Sequence, residues 1–428
     1  MRRTTTALRC AMLGLVLVGC TGGPSGDGTS RGTPGASGTA PSAPGVAVPG
    51  VAVPGTAGPH PAAPGAASTA PVPAGTASPG ADPARTMLMW ADGTPVTGTT
   101  LDLGAARRVR LGEDLTHVRD VPVEPGTRTT VLDLRPDGTF LMVMGDVEPS
   151  GDGSGSIRAL REVTAAGVRT LRSPHDADAA ERLPTWAARR VDGGVAWVEP
   201  YGDGESARLV RAPAGSQQGQ VVLARSAAGS DVVALAAWGA VLADGRVVAW
   251  DGAVSGEPAP PGTLLRYATA GDDVVESRCG VATCEIALVT AGGARDVVLR
   301  GPRGTWVTDA DAGHLLVRFE RDDGSLVHWG VDLAARGAVR IIGDDVYGPM
   351  SEGRIVVTDA RGVVVVDLVS GVVERLVVGD VWPEVAVAGD LVTIVTGVLE
   401  GAGASAELLR WPRPTLSPRP TPSPRPAR

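Results

Sequence analysis

Short apolar runs, rich in Val and broken every few positions by Gly or Asp-Gly, fill the middle of this chain. Such runs predict β-strands, and the pairs Asp137-Gly138, Asp192-Gly193, Asp244-Gly245 and Asp323-Gly324 predict tight hairpin turns of type I′. Three of these turns precede an apolar segment ending in Trp: Val195-Ala196-Trp197, Val247-Val248-Ala249-Trp250 and Leu326-Val327-His328-Trp329. These Trp residues are expected in the core between sheets rather than as ligand platforms. Helical periodicity is confined to residues 176–183, one or two turns stopped by Pro184.

A larger unit recurs: strand, small turn, strand, then Gly or Ser. Its cleanest form is Val363-Val364-Val365-Val366-Asp367-Leu368-Val369-Ser370-Gly371, continued by Val372-Val373-Glu374-Arg375-Leu376. Related endings fall near positions 112, 173, 226, 268, 301, 343 and 379, and residues 379–411 with 86–112 supply a seventh unit. Repeats of this size mark four-stranded blades around an axis. The expected fold is all-β, a β-propeller of seven four-stranded blades, with six or eight as the alternatives. The two ends of the 86–411 region would meet in one blade and clasp the ring.

Both flanks differ in kind. Residues 21–85 hold 14 Gly and 13 Pro and no Leu, Ile, Met or aromatic residue, so they bury too little apolar surface to order and read as a disordered tether. As a flexible coil it would reach about 45 Å on average. Residues 412–428 repeat Ser-Pro-Arg-Pro at Ser417 and Ser423 and predict a cationic polyproline tail.

Residues 1–20 have the layout of an export signal: Arg2, Arg3 and Arg9, then a short apolar run too brief to span a bilayer. Leu17-Val18-Gly19-Cys20 resembles the lipobox of bacterial lipoproteins. The resemblance implies cleavage before Cys20, lipidation of its thiol with diacylglycerol and acyl chains such as palmitate, and anchoring at the extracytoplasmic face of the cell membrane. Cys279 and Cys284 then remain, close together and outside the reducing cytoplasm, and are expected to form a structural disulfide.

Composition removes several mechanisms. The chain has neither Lys nor Asn, so a phosphate-binding loop with its lysine, Schiff-base chemistry and sequon glycosylation are all excluded. Without the three arginines of the leader and the five from Arg410 onward, residues 86–409 carry a net charge of −16, which argues against nucleic acid as a partner.

Leu134-Arg135-Pro136-Asp137-Gly138-Thr139-Phe140 resembles the Ser-Pro-Asp-Gly turn of TolB-type and WD-like bacterial propellers. Asp367 to Leu376 is similar to the outer strands of the same blades, and Gly353-Arg354-Ile355-Val356-Val357 after Pro349 to one of their inner strands. The resemblance implies a toroid used for protein contacts and specifies no activity.

Candidate chemistry is thin. The five histidines, His60, His117, His175, His314 and His328, show no metal-ligand spacing. His175-Asp176-Ala177-Asp178 reads as a loop, and Thr308-Asp309-Ala310-Asp311-Ala312-Gly313 lacks the distal Glu of a calcium loop. Gly202-Asp203-Gly204-Glu205-Ser206-Ala207 has no strand-to-helix setting for a dinucleotide. The pairs Asp272-Asp273, Asp322-Asp323 and Asp344-Asp345 are as well explained by turns. No catalytic, cofactor or metal set is expected. The chain reads as an anchored extracytoplasmic lipoprotein whose propeller binds a protein or other macromolecule at the cell envelope. The alternative is a funnel-based enzyme or solute-binding protein acting on glycans or small molecules.

Overall fold

The computed structural model describes residues 87–124, 127–146, 157–172, 187–200, 207–216, 218–226, 231–321, 323–343, 346–378, 383–396 and 405–413. The leader with Cys20, the tether, the helix expected at 176–183 and residues 414–428 of the tail lie outside the described residues.

Seven sheets follow one another along the chain. Blade I spans residues 127–172, II 188–223, III 232–255, IV 264–302, V 306–342, VI 350–376 and VII 384–410. Consecutive strands within a blade are antiparallel neighbours, and the first strand forms one edge of each sheet. The first strands touch one another in chain order, and that of blade VII touches that of blade I. The result is a seven-bladed β-propeller with its first strands innermost. Among the described residues the only helical element is a single 3₁₀ turn, Leu103–Ala105, capped by the Asp102 carboxylate on the Gly104 N–H.

Both faces of every blade are buried, which explains the unbroken Val runs. In the strand Gly362–Asp367, Val363 and Val365 face blade VII while Val364 and Val366 face blade V. Seven apolar clusters result, one between each pair of adjacent blades. Trp197 lies in the cluster between blades I and II, and Trp250 and Trp329 pack against the clusters of II–III and IV–V.

The ring closes as a clasp, but with more chain than expected. Among the described residues four strands precede blade I: β1 (Met89–Trp90), β2 (Thr99–Asp102), β3 (Arg107–Val109) and β4 (Thr116–Asp120). Strand β4 pairs with Ser405–Arg410 and is the fourth strand of blade VII. Strands β1, β2 and β3 instead add a fifth strand to the outer edges of blades IV, V and VI, the first antiparallel and the other two parallel. The segment 89–109 is therefore an external strap, and the closing strand lies beyond position 112, where the repeat placed a blade ending. The ending expected near 268 also falls elsewhere, inside the first strand of blade IV, Leu264–Ala270. Blade III is short and ends at Ser255, which shifted the apparent period.

The Asp-Gly turns form hairpins by a different geometry from type I′. At Asp137, Asp244 and Asp323 the Gly is left-handed while the Asp is not, and the loop holds three residues. Each Asp carboxylate accepts the N–H two residues on, at 2.8 Å for Thr139, which stabilises its right-handed conformation. Asp192 likewise stays outside the left-handed region, although its hairpin is shorter. Left-handed conformation at two successive residues occurs at Glu352 and Gly353, φ 49° and 73°, in the two-residue turn of blade VI.

Candidate functional site

The innermost strands carry charged side chains, and most are tied to neighbouring blades. Glu384 of blade VII accepts Arg128 Nε at 2.7 Å and Thr130 Oγ1 at 2.6 Å, both from blade I. Arg190 of blade II lies 3.2 Å from Glu162 and 3.7 Å from Asp133 in blade I. Arg189 reaches across the ring, donating to the carbonyl of Leu235 in blade III and that of Gly271 in blade IV. Burial holds its guanidinium below the usual arginine range. These groups answer one another, so they bolt the blades together rather than face a substrate.

Buried glutamates hold charge farther out, Glu276 within blade IV and Glu199 between blades I and II. Glu276 accepts Arg278 Nε at 2.8 Å, Arg295 Nε at 2.6 Å and the Tyr267 hydroxyl at 3.1 Å. Glu199 binds Arg172 Nε at 2.8 Å and the Trp197 indole N–H at 2.8 Å. Burial and the Glu276 charge push the Tyr267 phenol up, so it stays protonated.

At the junction of blades V and VI, Asp309 and Asp311 turn their carboxylates to backbone. Asp309 accepts the Met350 N–H at 2.6 Å and Asp311 the Gly353 N–H at 2.7 Å. His314 joins Asp311 through Nδ1 at 2.8 Å, with Asp332 3.8 Å from its other nitrogen. Burial pushes Asp309 up to about 7, and the Asp311 hydrogen bond raises His314 above its ordinary value. The segment with calcium-loop character is thus a seam between two blades, and among the described residues no cluster of acids, His and Cys has metal-binding geometry.

One group of side chains is answered differently. Trp306, Arg318 and His328 are cross-strand partners on the first three strands of blade V, so they share one face. Arg266, from the first strand of blade IV, stacks its guanidinium over Trp306 at 4.6 Å, and Arg318 stacks over Tyr347 at 4.9 Å. Tyr347 also meets His328 edge-on, with ring centroids 6.1 Å apart. His328 is 1% exposed, and neither ring nitrogen has a hydrogen-bond partner. Burial and then the Arg318 charge lower it to about 4, so the ring is neutral at ordinary pH. Arg266 and Trp306 lie near the start of their innermost strands, which places the cluster at one mouth of the ring.

The remaining candidates scatter. Cys279 and Cys284 form a disulfide between directly opposed positions of a blade IV hairpin. His117 is exposed and 3.0 Å from Asp120 on β4. Asp272 is an exposed partner of Arg189, 3.7 Å away, and Asp323 caps its own turn. Cys20, His60, His175 to Asp178, residues 202–206, Asp322 and the pair Asp344-Asp345 lie outside the described residues. A cavity of about 280 Å³ opens between blades VI and VII, lined by Leu376, Ile394, Leu409 and Glu407 with Leu111 from just after the strap. The cation–aromatic cluster had no signal in sequence order, because its members come from five separate segments and meet only through sheet register.

No family model matches the chain, and no curated protein matches it. Among solved structures it is similar to an acylaminoacyl peptidase of Pyrococcus horikoshii, with 12% identity and a TM-score of 0.42 over 66% of this chain and 51% of that one. A puromycin-hydrolyzing peptidase of Mycobacterium tuberculosis gives 15% identity and a TM-score of 0.42 over 69% and 54%. An oligogalacturonate lyase of Vibrio parahaemolyticus gives 9% and 0.35 over 68% and 93%. The chain spans about half the length of the peptidases it matches. At these similarities the likenesses carry no argument about activity.

Proposed function

We propose that this chain is a lipid-anchored lipoprotein at the extracytoplasmic face of the cell membrane, and that its propeller binds a macromolecular partner of the envelope. The observation that carries the binding role is the division of charge around the ring. The other innermost arginines and acids are satisfied across blade junctions, whereas Arg266 and Arg318 stand at one mouth against aromatic rings without an ion pair. A group held ready without an internal partner suits recognition better than turnover. The anchor rests on Leu17-Val18-Gly19-Cys20.

The same cluster supports the second reading, a solute-binding protein or enzyme acting at the mouth of the ring on glycans or small molecules. Crosslinking on intact cells with the lipidated chain as bait, read by mass spectrometry, separates the two. One dominant envelope protein, lost when residues 86–411 are deleted and the leader and tether kept, supports macromolecular binding. A bait with no partner overturns it in favour of the solute reading. Anchoring has its own test: Cys20→Ala should leave the membrane fraction, and a variant that still sediments with membranes refutes the anchor.

A further inference from the structure

We infer that Arg266, Arg318 and His328 form a binding site for a doubly charged oxyanion, a phosphate group or a dicarboxylate, at the mouth of the ring between blades IV, V and VI. The inference deepens the binding role proposed above and rests on it.

The arginines buried in this fold meet acceptors. Arg172 lies 2.8 Å from Glu199, Arg375 2.7 Å from Asp359, and Arg354 donates to the carbonyls of Gly389 and Trp411. At the mouth, Arg266, which is exposed, and Arg318, which is half-buried, meet π faces instead and form no ion pair. A ring under a guanidinium fixes its plane from one side and leaves the N–H edges without an acceptor. The two cations also act on each other, since the Arg266 charge lowers the Arg318 guanidinium further after burial has done so. Glu320, two residues along the strand, exerts an opposing charge on Arg318 from an exposed position but forms no ion pair with it. Across a propeller with a net charge of −16 over residues 86–409, two neighbouring cations without an ion pair are not part of a general basic surface.

His328 is the independent observation. It stands directly opposite Arg318 in the blade V register, fully enclosed, with both ring nitrogens unused. A buried polar group without a partner is costly, and such groups mark places where a ligand or ion completes the bonding. The neutral imidazole adds one N–H donor and one acceptor without adding charge. Two guanidinium charges and one neutral donor are balanced by an anion of charge −2, and a monoanion would leave the repulsion half relieved. Oxyanions of that charge also suit the paired N–H edges of arginine.

The test is isothermal titration of the detergent-solubilised full-length chain at low ionic strength, at a pH where phosphate is doubly charged. Inorganic phosphate and malonate are the two dianion probes, with acetate and chloride as monoanions. Saturable binding of one dianion per chain, at least about tenfold tighter than acetate, is expected. Phosphate above malonate identifies a phosphoryl ligand, and the reverse a dicarboxylate. Arg266→Gln and Arg318→Gln should each lose about tenfold in affinity. Each variant without ligand should melt no lower than the native chain, because half of the cation pair is gone. His328→Phe should weaken binding while keeping the fold. No saturable binding of either dianion, or equal affinity in the Arg266→Gln, Arg318→Gln double variant, overturns the site. Dianion binding with no crosslinked envelope partner removes the macromolecular reading and leaves the site standing. A crosslinked partner without dianion binding does the opposite.

Discussion

Asp311 accepts the Nδ1 proton of His314 at 2.8 Å while its second oxygen accepts the Gly353 N–H at 2.7 Å, so a single carboxylate stitches blade V to the turn of blade VI. His314 is raised above its ordinary value by that bond, with Asp332 adding and Arg413 opposing. A raised histidine stabilises the fold fully below its unfolded value of about 6.5, and the gain is lost as pH rises through its folded value. Asp309 acts in the same direction. Held neutral up to about 7, it costs stability progressively as pH rises from near 4 to 7, because the unfolded carboxyl ionises first. Asp309→Asn should therefore raise the melting temperature at pH 8 by a few degrees, and less at pH 5. His314→Gln should cost more at pH 5 than at pH 8. Thermal melts across that range check both, and parallel pH profiles in native chain and variants would sink the assignment.

His328 works against these two. Lowered to about 4 in the fold, it is neutral where the unfolded imidazole is already charged, so stability is lost as pH falls from about 6.5 toward 4. His328→Phe should remove that acid-side loss and leave the alkaline side unchanged. A variant whose acid limb matches the native one would show that the loss arises elsewhere.

The ring was readable because two-sided burial writes itself into composition. A strand such as Gly362–Asp367, with neighbours on both faces, must be apolar throughout, and its repetition at blade intervals reports the count. The strap was not readable, because β1, β2 and β3 attach to edges that lie some two hundred residues or more away in sequence. The turn type was missed because an Asp-Gly pair fits two loop lengths, and the Asp carboxylate bonding to residue 139, 246 or 325 decides between them. The cation–aromatic cluster depends on register: Trp306, Arg318 and His328 align only once three strands are paired. Nothing in residue order distinguishes them from turn-edge arginines such as Arg321.

The Cys279–Cys284 bridge closes a small hairpin ring whose tip carries Val281 at 90% exposure. A ring that short restricts the unfolded chain modestly, by about 2 kcal/mol. Reduction should lower the melting temperature by about 2–5 °C without loss of sheet content. Collapse of the far-ultraviolet signal on reduction would mean that the bridge is required for blade IV to form.

Glu374 joins three parts of the chain at once, and its removal separates two kinds of contact. Its carboxylate lies in blade VI, accepts Arg107 Nη2 of the strap at 2.5 Å, and accepts the indole N–H of Trp411 at 2.6 Å, just after the last strand of blade VII. Trp411 is 0% exposed, whereas the Arg107 side chain is 59% exposed. Arg107→Ala removes an exposed guanidinium and leaves the Glu374 carboxylate its bond to the indole, so it should cost about 1 kcal/mol. A sealed indole N–H that loses its acceptor is left without a partner. Glu374→Ala should therefore cost about 3 kcal/mol, and Glu374→Gln, which keeps an acceptor for Trp411, should fall between the two. Urea unfolding of the three variants orders these effects. Equal midpoints for Arg107→Ala and Glu374→Ala would mean that the strap contact, not the indole bond, carries the value of Glu374 to ring closure.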